Sequence, residues 1–400
     1  MSDEAESAEA ESVDAEVGSA DGDEAGERRR WWTLAVGVPL GLYLLTRLVQ
    51  LTLIAALADD DRSLVQRLMI WDAGWFVRVA VDGYEPGYSF DDEGELTGNG
   101  LAFFPLYPTL IRILSGLPGV SPDGAALTVA WVAGAVAAVL LSLLGTRLYS
   151  RRTGYALAVL FGAQPMSVVL SMGYTEALFA ALVVGALLAL HHQAWLIAGA
   201  CAMLAGFTRP TGLALAAALM AAGLWSLWRD RGDYPSWRVA VGVMAGLFAV
   251  PLYLLWVGLR VGDLDAWFTI QRIGWGTEWD FGASTGRFLI EAFTKGEGWV
   301  HVSVAVIIVL AGVSVLVALS ERIWPPLALY GVLAFVMAVG SSGYYHSRPR
   351  MLVPELLLLF PLAIALSRCR RRTAVLVLAG ATLLGCWYGA YMITVWPYTI

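Results

Sequence analysis

The chain has 400 residues, of which 58% are hydrophobic and 15% are charged, and its formal net charge is −7. A soluble globular domain is about 45–50% apolar and about 25% charged, so this composition argues against a cytosolic globular protein. The three cysteines, Cys201, Cys369 and Cys386, have the spacing of neither a disulfide scaffold nor a zinc site. The net negative charge also disfavours nucleic acid as a partner.

The amino-terminal tail differs in composition from the rest of the chain. Residues 1–27 hold 11 of the 33 acidic residues and none of the 26 basic ones, so the remainder carries 22 acids against 26 bases. Because the tail contains no aromatic residue, it lacks the apolar surface that offsets ordering entropy. We therefore predict a disordered acidic tail over 1–30 and a membrane body over 31–400. The tail is not a signal peptide, since the first apolar run begins at Trp31 and is too long.

From Trp31 onward, apolar runs recur at about the length needed to cross roughly 30 Å of hydrocarbon. The sequence therefore predicts an all-α polytopic membrane protein with about eleven transmembrane helices. The predicted spans are 31–58, 124–148, 154–171, 175–192, 194–208, 211–228, 238–261, 299–319, 323–341, 351–367 and 374–396.

The arginines beside these spans predict their orientation, because cytoplasmic connections are enriched in Lys and Arg. Arg28 to Arg30 precede the first span, which favours a cytoplasmic amino terminus. With alternating spans, most of the other cytoplasmic connections are also basic: they contain Arg147, Arg151, Arg152, Arg229, Arg231, Arg238, Arg322, Arg368 and Arg370 to Arg372. The opposite, extracytoplasmic face then carries the long segments 59–123 and 262–298 and three short turns, and we look for chemistry there.

The first outer segment predicts a surface helix over 64–82. Ser63 and Gln66 have the spacing of a capping box, and Gly83 favours a helix end. Asp72 falls within the apolar arc of this helix, where partial desolvation suits a general base. The alternative is a structural acid paired with a nearby arginine such as Arg78.

The segment 102–117, AFFPLYPTLIRILSGL, is apolar but too short and too rich in proline for a span. We expect a surface or re-entrant element that packs on the surface helix or on an isoprenoid chain, the alternative being simple interfacial anchoring. The pair Asp263 and Asp265 resembles the metal-binding DxD of soluble glycosyltransferases, but a short acidic turn is the better interpretation.

Ionisable residues recur at the outer ends of the later spans. Glu176 opens the fourth span, where a carboxylate is costly enough to be functional by default, although the helix dipole also favours an acid there. Arg209 lies in the turn FTRPTG beside a helix start, and His346, Arg348 and Arg350 precede the span that begins near Met351. These cations favour a phosphate site, with lipid headgroups as the competing ligand.

The motifs WDAGWFVRVAVDGY, AFFPLYP, SMGYTEALF, FTRPTG and HSRPRMLVPELLLLFP, in this order, resemble the GPI mannosyltransferase II (PIG-V) family and its prokaryotic relatives. The similarity runs across most of residues 31–370. It implies the GT-C membrane glycosyltransferase fold and an inverting transfer of mannose. The implied donor is a polyprenyl-phosphate mannose, the implied acceptor is an extracytoplasmic glycolipid or glycan, and no metal or other cofactor is expected.

The resemblance also implies that Asp72 is the motif aspartate, while the roles of the other candidate residues are hypotheses that rest on sidedness and charge. Asp72 is the expected general base on the acceptor hydroxyl, and Glu176 is expected to position the acceptor or to pair with an arginine. The remaining candidates fall into a donor-phosphate set, Arg209, His346, Arg348 and Arg350, and a sugar and lipid path, Trp71, Phe103, Phe104 and Tyr174. Three alternatives remain open: the same fold using another polyprenyl-phosphate sugar, a transporter or flippase, and a non-catalytic subunit in which Asp72 is only structural.

Overall fold

All eleven apolar runs are helical over most of their length in the computed structural model, which describes residues 31–59, 61–229, 236–296 and 298–399. The tail predicted over 1–30 lies outside the described residues. The elements are, in chain order, α1 Val38–Leu57, α2 Leu64–Leu68, α3 Asp72–Asp82, β1 Ser89–Phe90, β2 Leu96–Thr97, α4 Leu106–Ser115, α5 Pro122–Leu148, α6 Arg151–Ala163, α7 Glu176–His191, α8 Trp195–Gly206, α9 Gly212–Arg229, α10 Ser236–Val261, α11 Ala266–Trp275, α12 Ala283–Lys295, α13 Trp299–Ser320, α14 Pro325–Gly340, α15 Arg348–Met351, α16 Phe360–Arg368 and α17 Arg371–Thr394.

The described residues contain six helices that are long and apolar enough to cross a membrane, and seven if the bent pair Tyr345–Met351 and Leu356–Arg368 is one span. Three shorter apolar helices, α7, α8 and α14, have 12 to 16 residues. At 1.5 Å per residue these cover about 18–24 Å, less than the roughly 30 Å of hydrocarbon. The predicted count of eleven spans is therefore not confirmed, because several apolar runs fold as short or interrupted helices.

The predicted surface helix over 64–82 is two helices. The capping box at Ser63 and Gln66 forms as expected, and Gly83 ends α3 with a positive φ of 86°. Between α2 and α3, however, the helix is interrupted, and Trp71 has a φ of 55°. The segment 102–117, expected to be a surface or re-entrant element, contains the short helix α4, which packs on α5 through a hydrogen bond from the Tyr107 hydroxyl to the Ala126 carbonyl.

Arg47 joins α1 to the end of α6. Its guanidinium donates to the carbonyl oxygens of Gly162 and Ser167 and to the hydroxyls of Thr46, Ser167 and Ser171. The side chain is buried, so these bonds are needed to offset its desolvation. The carboxyl end of α6 carries the negative pole of the helix dipole, which further stabilises the cation.

Candidate active site

Four of the sequence-predicted residues form one largely buried cluster. Arg350 Nη1 lies 2.7 Å from Asp72 Oδ2, and Arg209 Nη1 lies 2.6 Å from Glu176 Oε1. The Nε of Arg350 is 3.6 Å from the same oxygen of Glu176, so the two ion pairs are linked. Residues that are far apart in the chain therefore meet in one ion-pair cluster, which we define as Asp72, Glu176, Arg209 and Arg350.

The break between α2 and α3 places Asp72 in this cluster. The Gly173 N–H donates to the Leu68 carbonyl at 3.0 Å, and the Tyr174 hydroxyl lies 3.4 Å from the Ile70 carbonyl. These two groups thus satisfy the carbonyls of Leu68 and Ile70, which the interruption leaves without partners inside a helix. Trp71 adopts a φ of 55°, which is unusual for a bulky residue and typical of functional sites, and Asp72 becomes the first residue of α3.

Glu176 and Arg209 hold the deep end of the cluster. Glu176 begins α7, where the positive pole of the helix dipole favours a carboxylate, and its side chain is only 2% exposed. Arg209 lies in the turn between α8 and α9 and also donates to the Thr175 hydroxyl at 3.2 Å. Glu176 is thus paired with arginine, one of the two roles expected from the sequence, and Thr175 is a neighbour that sequence reasoning missed.

Arg350 connects the deep end of the cluster to its more accessible end. Its guanidinium carbon lies 5.1 Å from the centre of the buried Tyr174 ring, a cation–π arrangement. The Asp72 side chain is 18% exposed and is the most accessible of the four. The alternative partner considered for Asp72, Arg78, instead lies over the Trp75 ring, and the observed partner of Asp72 is Arg350.

Arg348 faces other groups. Its guanidinium donates to the Thr285 hydroxyl, and it lies 3.4 Å from the Ser284 hydroxyl and 3.5 Å from the Ala338 carbonyl. The nearby Asp280 carboxylate accepts from the backbone N–H groups of Gly282 and Ser284. The Ser284 hydroxyl, these N–H groups and the Arg348 charge lower the pKa of Asp280. Arg348 therefore joins α12, α14 and α15, and its predicted contact with the donor phosphate stays a prediction.

His346 is surrounded by aromatic rings. Its imidazole is 7% exposed and lies between the stacked rings of Tyr344 and Tyr398, with centroid distances of 5.5 and 6.4 Å. Within the described part of the chain its Nδ1 atom has no hydrogen-bond partner. Its predicted role at the donor phosphate stays a prediction.

The residues predicted to line the sugar and lipid path lie in different surroundings. Trp71 is half-buried next to Asp72, and Phe103 is half-buried against Trp75 and Trp275. Phe104 is 2% exposed and packs on Tyr253 and Trp267, inside the core. The structure thus brings Trp71 and Tyr174 to the ion-pair cluster and places Phe104 in packed surroundings. Their substrate contacts stay predictions.

A match to a family model covers residues 44–256, more than half of the chain, and that model is described as mannosyltransferase (PIG-V). The chain belongs to the mannosyltransferase (PIG-V) family. A search of curated proteins gave no match.

Solved structures with the same fold are membrane glycosyltransferases of the GT-C class. The oligosaccharyltransferase AglB of Archaeoglobus fulgidus, in complex with an inhibitory peptide and a dolichol-phosphate, is 12% identical with a TM-score of 0.53, over 92% of this chain and 56% of that one. The apo form of the Archaeoglobus fulgidus oligosaccharyltransferase is 13% identical with a TM-score of 0.51, over 89% of this chain and 56% of that one. ArnT of Cupriavidus metallidurans, bound to undecaprenyl phosphate, is 16% identical with a TM-score of 0.49, over 89% and 62%.

This member of the mannosyltransferase (PIG-V) family spans about three fifths of the length of those proteins. The expected GT-C fold is confirmed, and the apolar helices are those of a multi-pass membrane protein.

One buried acid of this mannosyltransferase-family chain was missed by the sequence analysis. Glu355 is 2% exposed, and neither of its carboxyl oxygens has a hydrogen-bond partner among the described residues. It lies at the bend between α15 and α16, which Tyr330 and Gln164 secure by donating to the carbonyls of Pro354 and Val353. An acidic residue inside the predicted span 351–367 was the available signal.

Proposed function

We propose that this protein transfers mannose from a polyprenyl-phosphate mannose to a hydroxyl of a glycolipid or glycan acceptor, with inversion at the anomeric carbon. The observation that carries the proposal is the ion-pair cluster, in which the partly accessible Asp72 carboxylate pairs with Arg350, and Glu176 links Arg350 to a second guanidinium, Arg209. The family match and the GT-C fold support the class of reaction. AglB, which has this fold, is solved with a dolichol-phosphate, and this supports a lipid-phosphate ligand here.

In the proposed reaction Asp72 is the general base. Its carboxylate takes the proton of the acceptor hydroxyl while the acceptor oxygen forms a bond to the anomeric carbon. The bond between that carbon and the phosphate oxygen breaks, and its electron pair leaves with the phosphate. A single displacement of this kind inverts the anomeric centre. The second carboxylate, Glu176, is 2% exposed and paired with Arg209, so Asp72 is the better candidate to meet a hydroxyl.

Arg350 and Arg209 are the proposed phosphate ligands. A guanidinium offers five N–H donors in a fork that matches phosphate oxygens, and it stabilises the negative charge that develops on the leaving phosphate. With this charge provided by arginine, we propose that the reaction proceeds without a metal ion or other cofactor. We place the amino terminus in the cytoplasm and the ion-pair cluster at the extracytoplasmic face, because Arg28 to Arg30 and most of the other predicted cytoplasmic connections are basic.

Transfer of radiolabelled mannose in membrane vesicles supplied with polyprenyl-phosphate mannose tests the proposal. We expect Asp72→Asn to lower transfer by about 10²–10⁴-fold at unchanged protein abundance. The matched control is Asp82→Asn, at the exposed opposite end of the same helix, which should leave transfer unchanged. Full activity of Asp72→Asn would overturn the assignment of the base.

A panel of polyprenyl-phosphate sugars, offered to the purified protein with lipid acceptors, tests the choice of mannose. Preference for another sugar would keep the fold and the mechanism but change the donor. Label that crosses the membrane without forming a new glycosidic bond would indicate a flippase instead.

A further inference from the structure

We propose that the donor phosphate displaces Asp72 from Arg350, so that Asp72 is released to act as a base only after the lipid-phosphate donor has bound. This proposal rests on the proposed function, since it concerns the same site. It makes Arg350 a phosphate ligand that exchanges one anionic partner, Asp72, for another. It also makes the reaction ordered, with the donor first and the acceptor second.

The first argument concerns the arrangement in the structure, where Asp72 is occupied. Its Oδ2 atom accepts a hydrogen bond from Arg350 Nη1 at 2.7 Å, the distance of a strong charged hydrogen bond. Protonation of Asp72 in this state would break the ion pair and leave the Arg350 side chain, 11% exposed, without its nearest counterion. The carboxylate is therefore poorly placed to accept a proton until Arg350 has another anion.

The second argument is that Arg350 has unused donors. Of its five N–H groups, only one in Nη1 makes a hydrogen bond within the described part of the protein, and Nε is buried at 3.6 Å from Glu176. The Tyr174 ring supports the guanidinium from one side. Arg350 can thus offer a phosphate two parallel N–H groups, which a single carboxylate oxygen does not use.

The third argument identifies which carboxylate is displaced. The ion-pair cluster contains two acids and two arginines and is formally neutral, so an arriving phosphodiester adds one negative charge. Glu176 is 2% exposed and is held at 2.6 Å by Arg209 and at 3.6 Å by Arg350. Asp72 is 18% exposed, and among the described residues its side chain is held by Arg350 alone. The phosphate therefore displaces Asp72, which is more accessible and has a single partner.

The exchange also predicts what happens after transfer. The leaving group is a phosphate monoester, which carries more negative charge than the phosphodiester donor and keeps Arg350 while Asp72 retains the acceptor proton. When the lipid phosphate leaves, Asp72 loses that proton to water and pairs with Arg350 again. Every proton and electron pair in the cycle thus belongs to the acceptor, the donor or water.

Binding of a short-chain polyprenyl phosphate to the purified full-length protein in detergent micelles tests the exchange, with calorimetry as the readout. We expect Asp72→Asn, although inactive in transfer, to bind this probe about tenfold more tightly than the wild type, equivalent to about 1.4 kcal/mol. Arg350→Gln should bind it at least about tenfold more weakly. Asp82→Asn should bind like the wild type. Thermal unfolding of each variant confirms that it is folded.

The double variant Asp72→Asn/Arg350→Gln separates exchange from simple charge repulsion. If the phosphate displaces Asp72 from Arg350, the tighter binding caused by Asp72→Asn disappears once Arg350 is absent. A gain that persists in the double variant, or an Asp72→Asn protein that binds no more tightly than the wild type, overturns the exchange. A wild-type protein that does not bind the probe at all instead contradicts the proposed function itself.

Discussion

Arg209 and Glu176 form the shortest ion pair of the ion-pair cluster, with Nη1 2.6 Å from Oε1 and side-chain exposures of 15% and 2%. Loss of one partner from a buried pair leaves the other charge without compensation, which is more damaging than loss of both. This asymmetry distinguishes a buried pair from the many exposed pairs that add little to stability.

We therefore expect Glu176→Gln to lower the free energy of unfolding by about 3 kcal/mol or more. The double variant Glu176→Gln/Arg209→Gln should recover part of that loss. The matched control is the exposed pair Glu291 and Lys295, 3.5 Å apart on α12, where Glu291→Gln should cost about 0.5 kcal/mol or less. Unfolding in mixed micelles measures all three. Equal losses at both pairs would show that Glu176 is not effectively buried.

Arg348 and Arg350 are two residues apart but should respond differently to replacement by lysine. Arg350→Lys removes the forked donor beside Asp72 and should lower transfer by about 10²-fold. Arg348→Lys removes bonds to Ser284 and Thr285 and should lower the unfolding temperature, with a smaller change in the KM for the donor. If the Arg348→Lys protein has normal stability but its KM for the donor rises as much as that of Arg350→Lys, this would support the sequence-based prediction that Arg348 contacts the donor.

Gly385 and Gly380 on α17 provide a packing test. A Cβ atom at Gly385 would overlap the backbone carbonyl of Ala163, whereas one at Gly380 meets nothing within 4 Å. Gly385→Ala should therefore force α17 away from the end of α6 and reduce the yield of folded protein. Gly380→Ala should be tolerated, with a gain of up to about 1 kcal/mol from helix propensity. Size-exclusion profiles and unfolding temperatures in detergent compare the two. Equal behaviour would show that this helix contact is loose.

The hydroxyl of Tyr88 donates to Asp263 Oδ2 at 2.6 Å and closes the first outer segment onto the turn before α11. This hydrogen bond, and to a lesser extent the one from the backbone N–H of Asp265, lowers the pKa of Asp263 below its usual 3.8. Because the pKa of Asp263 is lower in the folded protein, the stabilisation from this hydrogen bond is present at neutral pH. It disappears as the pH falls through that lowered pKa.

Tyr88→Phe should therefore speed proteolysis of residues 84–99 at neutral pH. The difference from the wild type should vanish only under strongly acidic conditions. Asp265→Asn, which keeps the backbone N–H, is the control expected to behave like the wild type. Cleavage rates that respond to pH near neutrality would show that another group controls this loop.

The sequence was sufficient to locate most of the apolar helical segments and to name all four residues of the ion-pair cluster as candidates. Local patterns identified the capping box at Ser63 and the acidic turn at Asp263, since each depends on neighbours in the chain. Which arginine faces which acid was not predictable. Arg348 and Arg350 lie two residues apart on the short helix α15 and therefore point about 200° apart around its axis, one towards Thr285 and the other towards Asp72.

The break at Trp71 was also not predictable from local patterns. The apolar periodicity is continuous through 64–82, and neither glycine nor proline lies between α2 and α3 to indicate an interruption. The cause is a tertiary contact, because Gly173 and Tyr174 provide hydrogen bonds that replace the helical ones lost at the break. The span count differs for a local reason. Helix α6 ends at Ala163 because Gln164 precedes Pro165 and is extended, a stop signal that the predicted span 154–171 ignored.

The buried polar face of α1 has a consequence for biosynthesis. Arg47 is satisfied by residues 162–171, and the Gln50 amide donates to the carbonyl of Cys386, 336 residues later. During synthesis the first helix therefore enters the membrane with polar groups that find their partners only as later helices arrive. A product truncated before Cys386 contains every residue of the ion-pair cluster, yet we expect its first helix to remain incompletely packed and the fragment to be degraded.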